Sequence, residues 1–470
     1  MKRAARAMLP ALSALSALLL AACASGPAPQ RPDIVLPAAY AGSIAASSPV
    51  LAADWWKLFA EPGLDQLVEL ALAANLDLRL AAARIDETAV ALGLARAAQW
   101  PSVDANGSVS RMRSSTLTGQ PVSPNGPRST SHQVALTTSF EIDLWGRLRN
   151  ATQAAQAQLL AAQHARDTVR LGLVSAVVQA WLGVRTLDAQ QATVATQRKL
   201  RDDSLALVRR RVEGGVASGL DLAQADGAVA ALAAQQLELH RQRELLVNQL
   251  GLLSGQPGLQ LPVDARALPS PVTAPAGLPS ELLLRRPDLQ QAEATMRASF
   301  AQYEVTRKSA WPSLSLTGSF GAQSADLVDL LKAGARTWAF GPSLLVSVFD
   351  AGRNQARTDE ARARAEQAAI NWQQAAQTAF REVADALVNA QQLAAQAVEV
   401  ERQRGAALEA QRIAQRRYEA GYSGFLEVLD AQRGAQDAEL ALLRARQARL
   451  DASVALLKAL GGGGQAEPAR

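Results

Sequence analysis

Four segments of the chain alternate apolar and small polar residues. Val103, Ala105 and Val109 alternate with Ser102, Asp104, Asn106 and Ser108, and Val134, Leu136, Phe140 and Ile142 with Gln133, Thr137, Ser139 and Glu141. Further along, Leu314, Leu316 and Phe320 alternate with Ser313, Ser315, Thr317 and Ser319. Trp338, Phe340, Leu344, Val346 and Val348 alternate with Ala339, Gly341, Ser343 and Ser347. A period of two predicts strands, at about 102–111, 133–144, 313–322 and 337–349. Between and after them the period lengthens. Ala361, Ala365, Ala368, Trp372, Ala375, Ala379, Val383, Ala386, Ala390, Leu393, Ala397 and Val400 follow a spacing of mostly four and three, a heptad seam on one long helix. Proline is absent from 128–256 and from 343–467, so each stretch has room for a very long helix and a return helix. The predicted helices are about 148–212 and 219–252 in the first stretch, and about 353–419 and 424–460 in the second. Glycines break each pair, at "EGGVASGLDLAQA" around Gly215 and "EAGYSGFLEVLDAQ" around Gly421.

The plan is written twice. The interval from Gly146 to Gly215 equals that from Gly352 to Gly421, and the interval from Trp100 to Trp311 equals that from Gly107 to Gly318. The phrase Trp-Pro-Ser opens the first strand of each half, and proline there marks where helix gives way to strand, because the residue before it avoids helical angles. The expected organisation is a leader at 1–22, an N-terminal tether at 23–60 and a first repeat at 61–257. A linker at 258–279, a second repeat at 280–460 and a flexible tail at 461–470 follow. The fold class is mainly α with long coiled helices, plus four strands that contribute to a membrane β-barrel.

One apolar and one small-polar face over about ten residues fits a membrane strand, and it fits a soluble hairpin lying on a core equally well. Context favours the membrane: each hairpin is bracketed by rods and turns through a polar or flexible loop. A bilayer leaves no backbone amide unpaired at tolerable cost, so a four-stranded sheet must close with other copies. Three copies would supply twelve strands.

Alanine-rich and poor in aromatics (4%), the sequence suits closely approaching helices better than a bulky globular core. Net charge is +5, and Lys2, Arg3 and Arg6 account for three of it; no dense basic block points to nucleic acid. The single cysteine, Cys23, excludes a disulfide within the chain. The basic start, the apolar run through Leu18, Leu19 and Leu20, and the "LAAC" ending make a signal peptide. Those last four residues resemble a bacterial lipobox, which implies lipid on Cys23, with ordinary cleavage nearby as the alternative. Ala24, rather than Asp, follows, which among such lipoproteins points to the outer membrane.

Six phrases in order resemble the TolC-like outer-membrane efflux ducts, in the lipoprotein subgroup that includes the multidrug channel OprM. They are "WWKLFAEPGLDQLVELALAANLDLRLAAARI" from Trp55, "FEIDLWGRLR" from Phe140, "RRVEGGVASGLDLAQA" from Arg210, "RRPDLQQAEA" from Arg285, "VFDAGR" from Val348 and "RRYEAGYSGFLEVLDAQR" from Arg416. The resemblance implies a homotrimer with a 12-stranded outer-membrane barrel continued by a periplasmic helical tunnel. It also implies a periplasmic membrane-fusion adaptor and an inner-membrane transporter as partners, and no cofactor beyond the lipid on Cys23. Gly215, Gly219, Gly421 and Gly424 would form periplasmic tips, both as turn chemistry and as the adaptor's docking place. Glu427 and Asp430, at i and i+3 on one helix face, stand where the ducts carry an acidic ring at the tunnel entrance; on an isolated helix such a pair is a solvated face. Tyr418 resembles a tyrosine that holds the closed tip, but the arginine it meets in a relative aligns with Ser423 here. Asp221 matches the first-copy motif and reads as structural.

His132, His164 and His240 are scattered, and the sequence has no zinc-ligand spacing, nucleophile elbow or phosphate-binding glycine loop. No enzyme is expected. A lipid-anchored coiled-coil scaffold would explain the heptads but not the strands. A duct secreting polypeptides differs from one for small molecules only in its partners.

Overall fold

The computed structural model describes residues 52–117, 126–272 and 285–463. Seven α-helices and four strands are present among them. In chain order they are α1 (Pro62–Ala74), α2 (Leu76–Ala97), β1 (Ser102–Arg113), β2 (Arg128–Ile142), α3 (Arg147–Glu213), α4 (Gly219–Leu253), α5 (Pro287–Lys308), β3 (Ser313–Ser324), β4 (Arg336–Leu345), α6 (Arg353–Glu419) and α7 (Phe425–Ala459). α3 and α6 have 67 residues each, and α4 and α7 have 35 each. Every position of the heptad seam predicted on α6 is buried or half-buried. None of the described helices is long and apolar enough to cross a membrane.

The chain divides into two compact units, and each is built from both halves of the sequence. The first holds residues 84–162 and 292–372, including the whole sheet. Its order is β1-β2-β3-β4, all antiparallel, so β1 and β4 each have one strand partner. The register places Ala105, Leu136, Phe320 and Trp338 in one row, and Phe140, Leu316 and Pro342 in another, on one face. That face is open: Phe320, Trp338 and Phe340 are 62%, 78% and 68% exposed. Serine, threonine and amide side chains fill the other face, where Asn106 donates to the Thr137 hydroxyl at 2.8 Å. β2 begins five residues before the alternation does, because Arg128–His132 pair with the far end of β1 despite the polar run Ser129-Thr130-Ser131. β4 ends at Leu345, four residues short of the expected end, where its pairing with Ser313 of β3 runs out.

Gly321 of β3 lies tight against the backbone of β2. A Cβ there would lie 2.2 Å from the Val134 carbonyl oxygen and 2.8 Å from the Ala135 methyl, and backbone cannot yield as a side chain can. Gly341, on the same face of β4, has open space around it. Gly321→Val should therefore cost about 1–3 kcal/mol or more, the range typical of overpacking, whereas Gly341→Val should melt near wild type in β-sheet circular dichroism. Equal melting of the two variants would contradict the close approach.

Trp145 ties the sheet's base together. Its indole Nε1 donates to the Pro312 carbonyl at 2.7 Å, and its ring stands edge-on to Trp311 with centroids 4.8 Å apart. The aspartates of the two Gly-Arg phrases cap the long helices: Asp143 accepts from the amides of Leu148 and Arg149, and Asp350 from those of Gly352 and Asn354. A carboxylate accepting amides at a helix start satisfies donors that lack helical partners.

The second unit holds residues 52–83, 163–291 and 373–463 of the described chain. Its main core gathers Trp55, Trp56 and Phe59 with Leu64 and Val68 of α1, Val174, Val177 and Leu182 of α3, Leu250 of α4, and Leu450 and Leu457 of α7. Trp55–Phe59, assigned to the tether by sequence, thus form a buried 3₁₀ turn. Segment 258–272, expected as a linker, is packed as well, with Leu259, Leu261, Leu268 and Val272 against the same core. Gly461 to Gly463, the start of the expected tail, are also buried.

Two buried arginines of this unit hold segment 258–272. Arg185, 1% exposed, is paired with Asp264 and donates to the carbonyls of Arg266 and Ala267 at 3.2 Å each. Arg243 donates to Asp188 at 2.6 Å and to the carbonyls of Leu261 and Pro262, and the same Asp188 accepts the Asp264 amide at 2.9 Å. Arg286 does similar work at the start of α5, bridging Asp288, Glu382 and the Ala459 carbonyl.

Candidate functional site

The two glycine tips have one construction. At the end of α3, the amides of Gly215 and Val216 donate to the carbonyls of Val212 and Arg211; at the end of α6, those of Gly421 and Tyr422 donate to Tyr418 and Arg417. Gly215 has φ +72° and Gly421 φ +79°, the left-handed region that ends a helix at least cost with glycine. The starts of the return helices differ. Ser218 caps α4 reciprocally: its hydroxyl accepts the Asp221 amide, and the Asp221 carboxylate accepts the Ser218 amide at 3.1 Å. Asp221 is thus a capping residue. Gly219 is the first residue of α4. Gly424 caps α7 with no side chain to contribute, and the buried Ser423 hydroxyl beside it has no hydrogen-bond partner.

Tyr418 lies inside the tip. It is 7% exposed, packs on Phe425 at 5.8 Å between ring centroids, and joins Val208, Ala225, Ala228, Val428 and Leu429 in a small core. A cation reaches the ring: the Arg211 guanidinium of α3 stands 4.5 Å from its centroid. Such a contact attracts by about 0.5–2 kcal/mol depending on desolvation. It links the tip of α3–α4 to that of α6–α7, and its two partners are 207 positions apart, so no local motif announces it.

Glu427 and Asp430 are both exposed on α7. Glu427 is already engaged, its Oε1 ion-paired with Arg417 Nε at 3.0 Å across the turn from α6. Asp430 forms no ion pair among the described residues. Going up the helix, Arg433 and Asp437 continue the exposed charges. Behind them lies Arg201 of α3, 4% exposed, whose Nε and Nη2 have no partner; burial, then the charge of Arg433, pushes its pKa down, and Asp437 opposes this. A groove of about 390 Å³ lies nearby between α3 and α6, lined by Leu200, Ser204, Leu207, Leu408, Gln415 and Gln432. Among the described residues no cluster of His, Cys, Asp or Glu could hold a metal ion. Cys23 lies outside the described residues.

Tyr418, Glu427 and Asp430 stand out in the sequence, whereas Arg211 and Arg417, which meet Tyr418 and Glu427, read as ordinary basic residues at helix ends.

Similarity to known proteins agrees with this architecture. The chain matches a toluene efflux pump outer membrane protein, TtgC, of Pseudomonas putida, with 35% identity over 96% of this chain and 94% of that protein. It matches the cation efflux system protein CusC of Escherichia coli K12 with 33% identity over 95% of this chain and 98% of the relative. A crystal structure of a membrane protein from Pseudomonas aeruginosa superposes with a TM-score of 0.85 at 33% identity, covering 93% of this chain and all of the other. The family model described as "Outer membrane efflux protein" matches residues 67–256 and again 278–462, and the chain belongs to that family.

Proposed function

We propose that three copies of the chain close their sheets into a 12-stranded outer-membrane barrel continued by a periplasmic helical tunnel. Through it, small molecules pass outward from an inner-membrane transporter and a periplasmic adaptor. One observation carries the reading. The sheet exposes a continuous apolar face while β1 and β4 each lack a second strand partner. In a bilayer those edge amides would be unpaired at a cost of several kcal/mol each, roughly, and pairing β4 of one copy with β1 of the next removes both edges at once. The recurrence of one family model in both halves, with equal helix lengths, supports descent of the duct from a repeated unit.

Lipid on Cys23 would anchor the chain beside its barrel. Glu427 and Asp430 of three copies would form the acidic entrance ring, and Arg417 would tie Glu427 to α6 in the closed tip. The tips at Gly215, Gly219, Gly421 and Gly424 would receive the adaptor. Cargo choice falls to the transporter. One relative is named for toluene efflux and another for cation efflux, at nearly the same identity to this chain. The mass of the full chain purified in detergent tests the assembly. Three chains per particle are expected, and a stable, water-soluble single chain would remove the barrel.

A further inference from the structure

The apolar face of the sheet ends in arginines. On β1 the residues that share the face of Val103, Ala105 and Val109 continue as Arg111 and Arg113, by the two-residue period. On β2 the face of Leu136 and Val134 continues through His132 and Thr130 to Arg128, and on β4 the face of Phe340 and Trp338 continues to Arg336. All four arginines lie at the strand ends away from the helices, and all are exposed. Arg113 stands directly opposite Arg128, and Arg111 is paired with Thr130. None of the four forms an ion pair among the described residues. The β1–β2 connection from Ser114 to Pro127 contains no carboxylate at all. In the β3–β4 connection Asp329 is taken by Lys332, which leaves Asp326.

Like charges directly opposite on neighbouring strands destabilise a sheet unless an anion lies between them. The place of this charge says which anion fits. It crowns the exposed apolar band, with Trp338 one step below Arg336, the level where amphipathic rings meet a headgroup layer. Guanidinium groups take the oxygens of a phosphate or a carboxylate two at a time, and a phosphomonoester, with three acceptor oxygens and close to two negative charges, can serve two facing guanidinium groups at once. We propose that Arg111, Arg113, Arg128 and Arg336 form a rim that binds the phosphate groups of phosphorylated lipids in the outer leaflet. Arg113 and Arg128 share one phosphate. The inference rests on the reading that this sheet crosses the outer membrane with its Arg113–Arg128 end outward. It adds a lipid partner of stated chemistry, and three copies would repeat the rim around the barrel.

Native mass spectrometry of the purified full chain in detergent tests the rim, with bis-phosphorylated lipid A as the probe and monophosphorylated lipid A as its control. The wild type should retain the bis-phosphorylated form at least tenfold better than the monophosphorylated one. A variant carrying Arg111→Gln, Arg113→Gln, Arg128→Gln and Arg336→Gln should lose that preference, and millimolar inorganic phosphate should not displace the lipid. Equal retention of the two lipids by the wild type overturns the proposal even if the variant does not assemble, and so does equal retention by wild type and variant. Displacement by inorganic phosphate would make the rim a free-phosphate site and overturn it too. Flotation of the wild type with liposomes after carbonate washing separates the two levels. Failure to float rejects the membrane reading, whereas flotation without lipid preference rejects the rim alone.

Discussion

In planar bilayers, replacing Glu427 and Asp430 by alanine should lower the cation-over-anion permeability ratio at least about fourfold. Replacing Arg417 by alanine should raise it. A carboxylate 5 Å from a permeating ion changes its energy by about 0.8 kcal/mol even at the dielectric of water, and a factor of four corresponds to that energy. Both side chains of the acidic pair are exposed and sit one turn apart on α7, so neither is spent inside the fold. Glu427 is partly neutralised by Arg417 at 3.0 Å, so removing the guanidinium leaves an uncompensated charge at the same place. The two variants thus move selectivity in opposite directions, which a change of pore width alone would not produce. The effect should shrink in molar salt, where the screening length falls to about 3 Å. A permeability ratio indifferent to both changes would remove these residues from the constriction and return them to a solvated helix face.

Periodicity made the elements legible because the physics that sets them is local. A two-residue alternation with Pro101 and Pro312 at its threshold leaves little choice but strand, and the glycines at 215 and 421 leave little choice but a helix end. The long helices begin at Arg147 and Arg353, within a residue of expectation, since Asp143 and Asp350 cap them from inside the same phrases. Strand ends were less legible. Whether Ser129 or Val348 pairs depends on what the neighbouring strand offers there, and that neighbour lies elsewhere in the sequence. The candidate site divides in the same way. Tyr418, Glu427 and Asp430 stand out from their own surroundings, but the guanidinium over Tyr418 comes from α3, one whole repeat away. Nothing in "RRVEGG" tells which of its arginines turns inward.

Arg185→Ala should destabilise the fold more than any surface change, by about 3–5 kcal/mol, the usual consequence of removing one partner from a buried ion pair. The expectation follows from what the guanidinium leaves behind. Asp264 keeps only the exposed Arg266, the carbonyls of Arg266 and Ala267 lose a donor, and Glu61, 6% exposed, loses the buried cation 3.7 Å away and is left with the same solvent-exposed Arg266 at 3.8 Å. Segment 258–272 is otherwise held by Arg243, the Asp188 carboxylate and four apolar side chains, so it should detach before the helices melt. Limited proteolysis should then cut within 258–272 at temperatures where the wild type is resistant, and the thermal transition of the full chain should fall. Arg185→Lys should restore little of this, because one ammonium cannot reach a carboxylate and two carbonyls in the planar fork that arginine presents. Cleavage and melting of Arg185→Ala indistinguishable from wild type would show that Arg243, Asp188 and the apolar contacts hold the segment without Arg185. If lysine substitutes fully, net charge rather than donor geometry is what the site requires. Both results bear on why a charged residue persists at 1% exposure on a helix face otherwise made of Val177, Val178, Leu182 and Val184. Segment 258–272 forms neither helix nor strand, so its buried carbonyls need donors from elsewhere, here from α3 and α4. Long, multiply donating arginines supply them without opening the core to water.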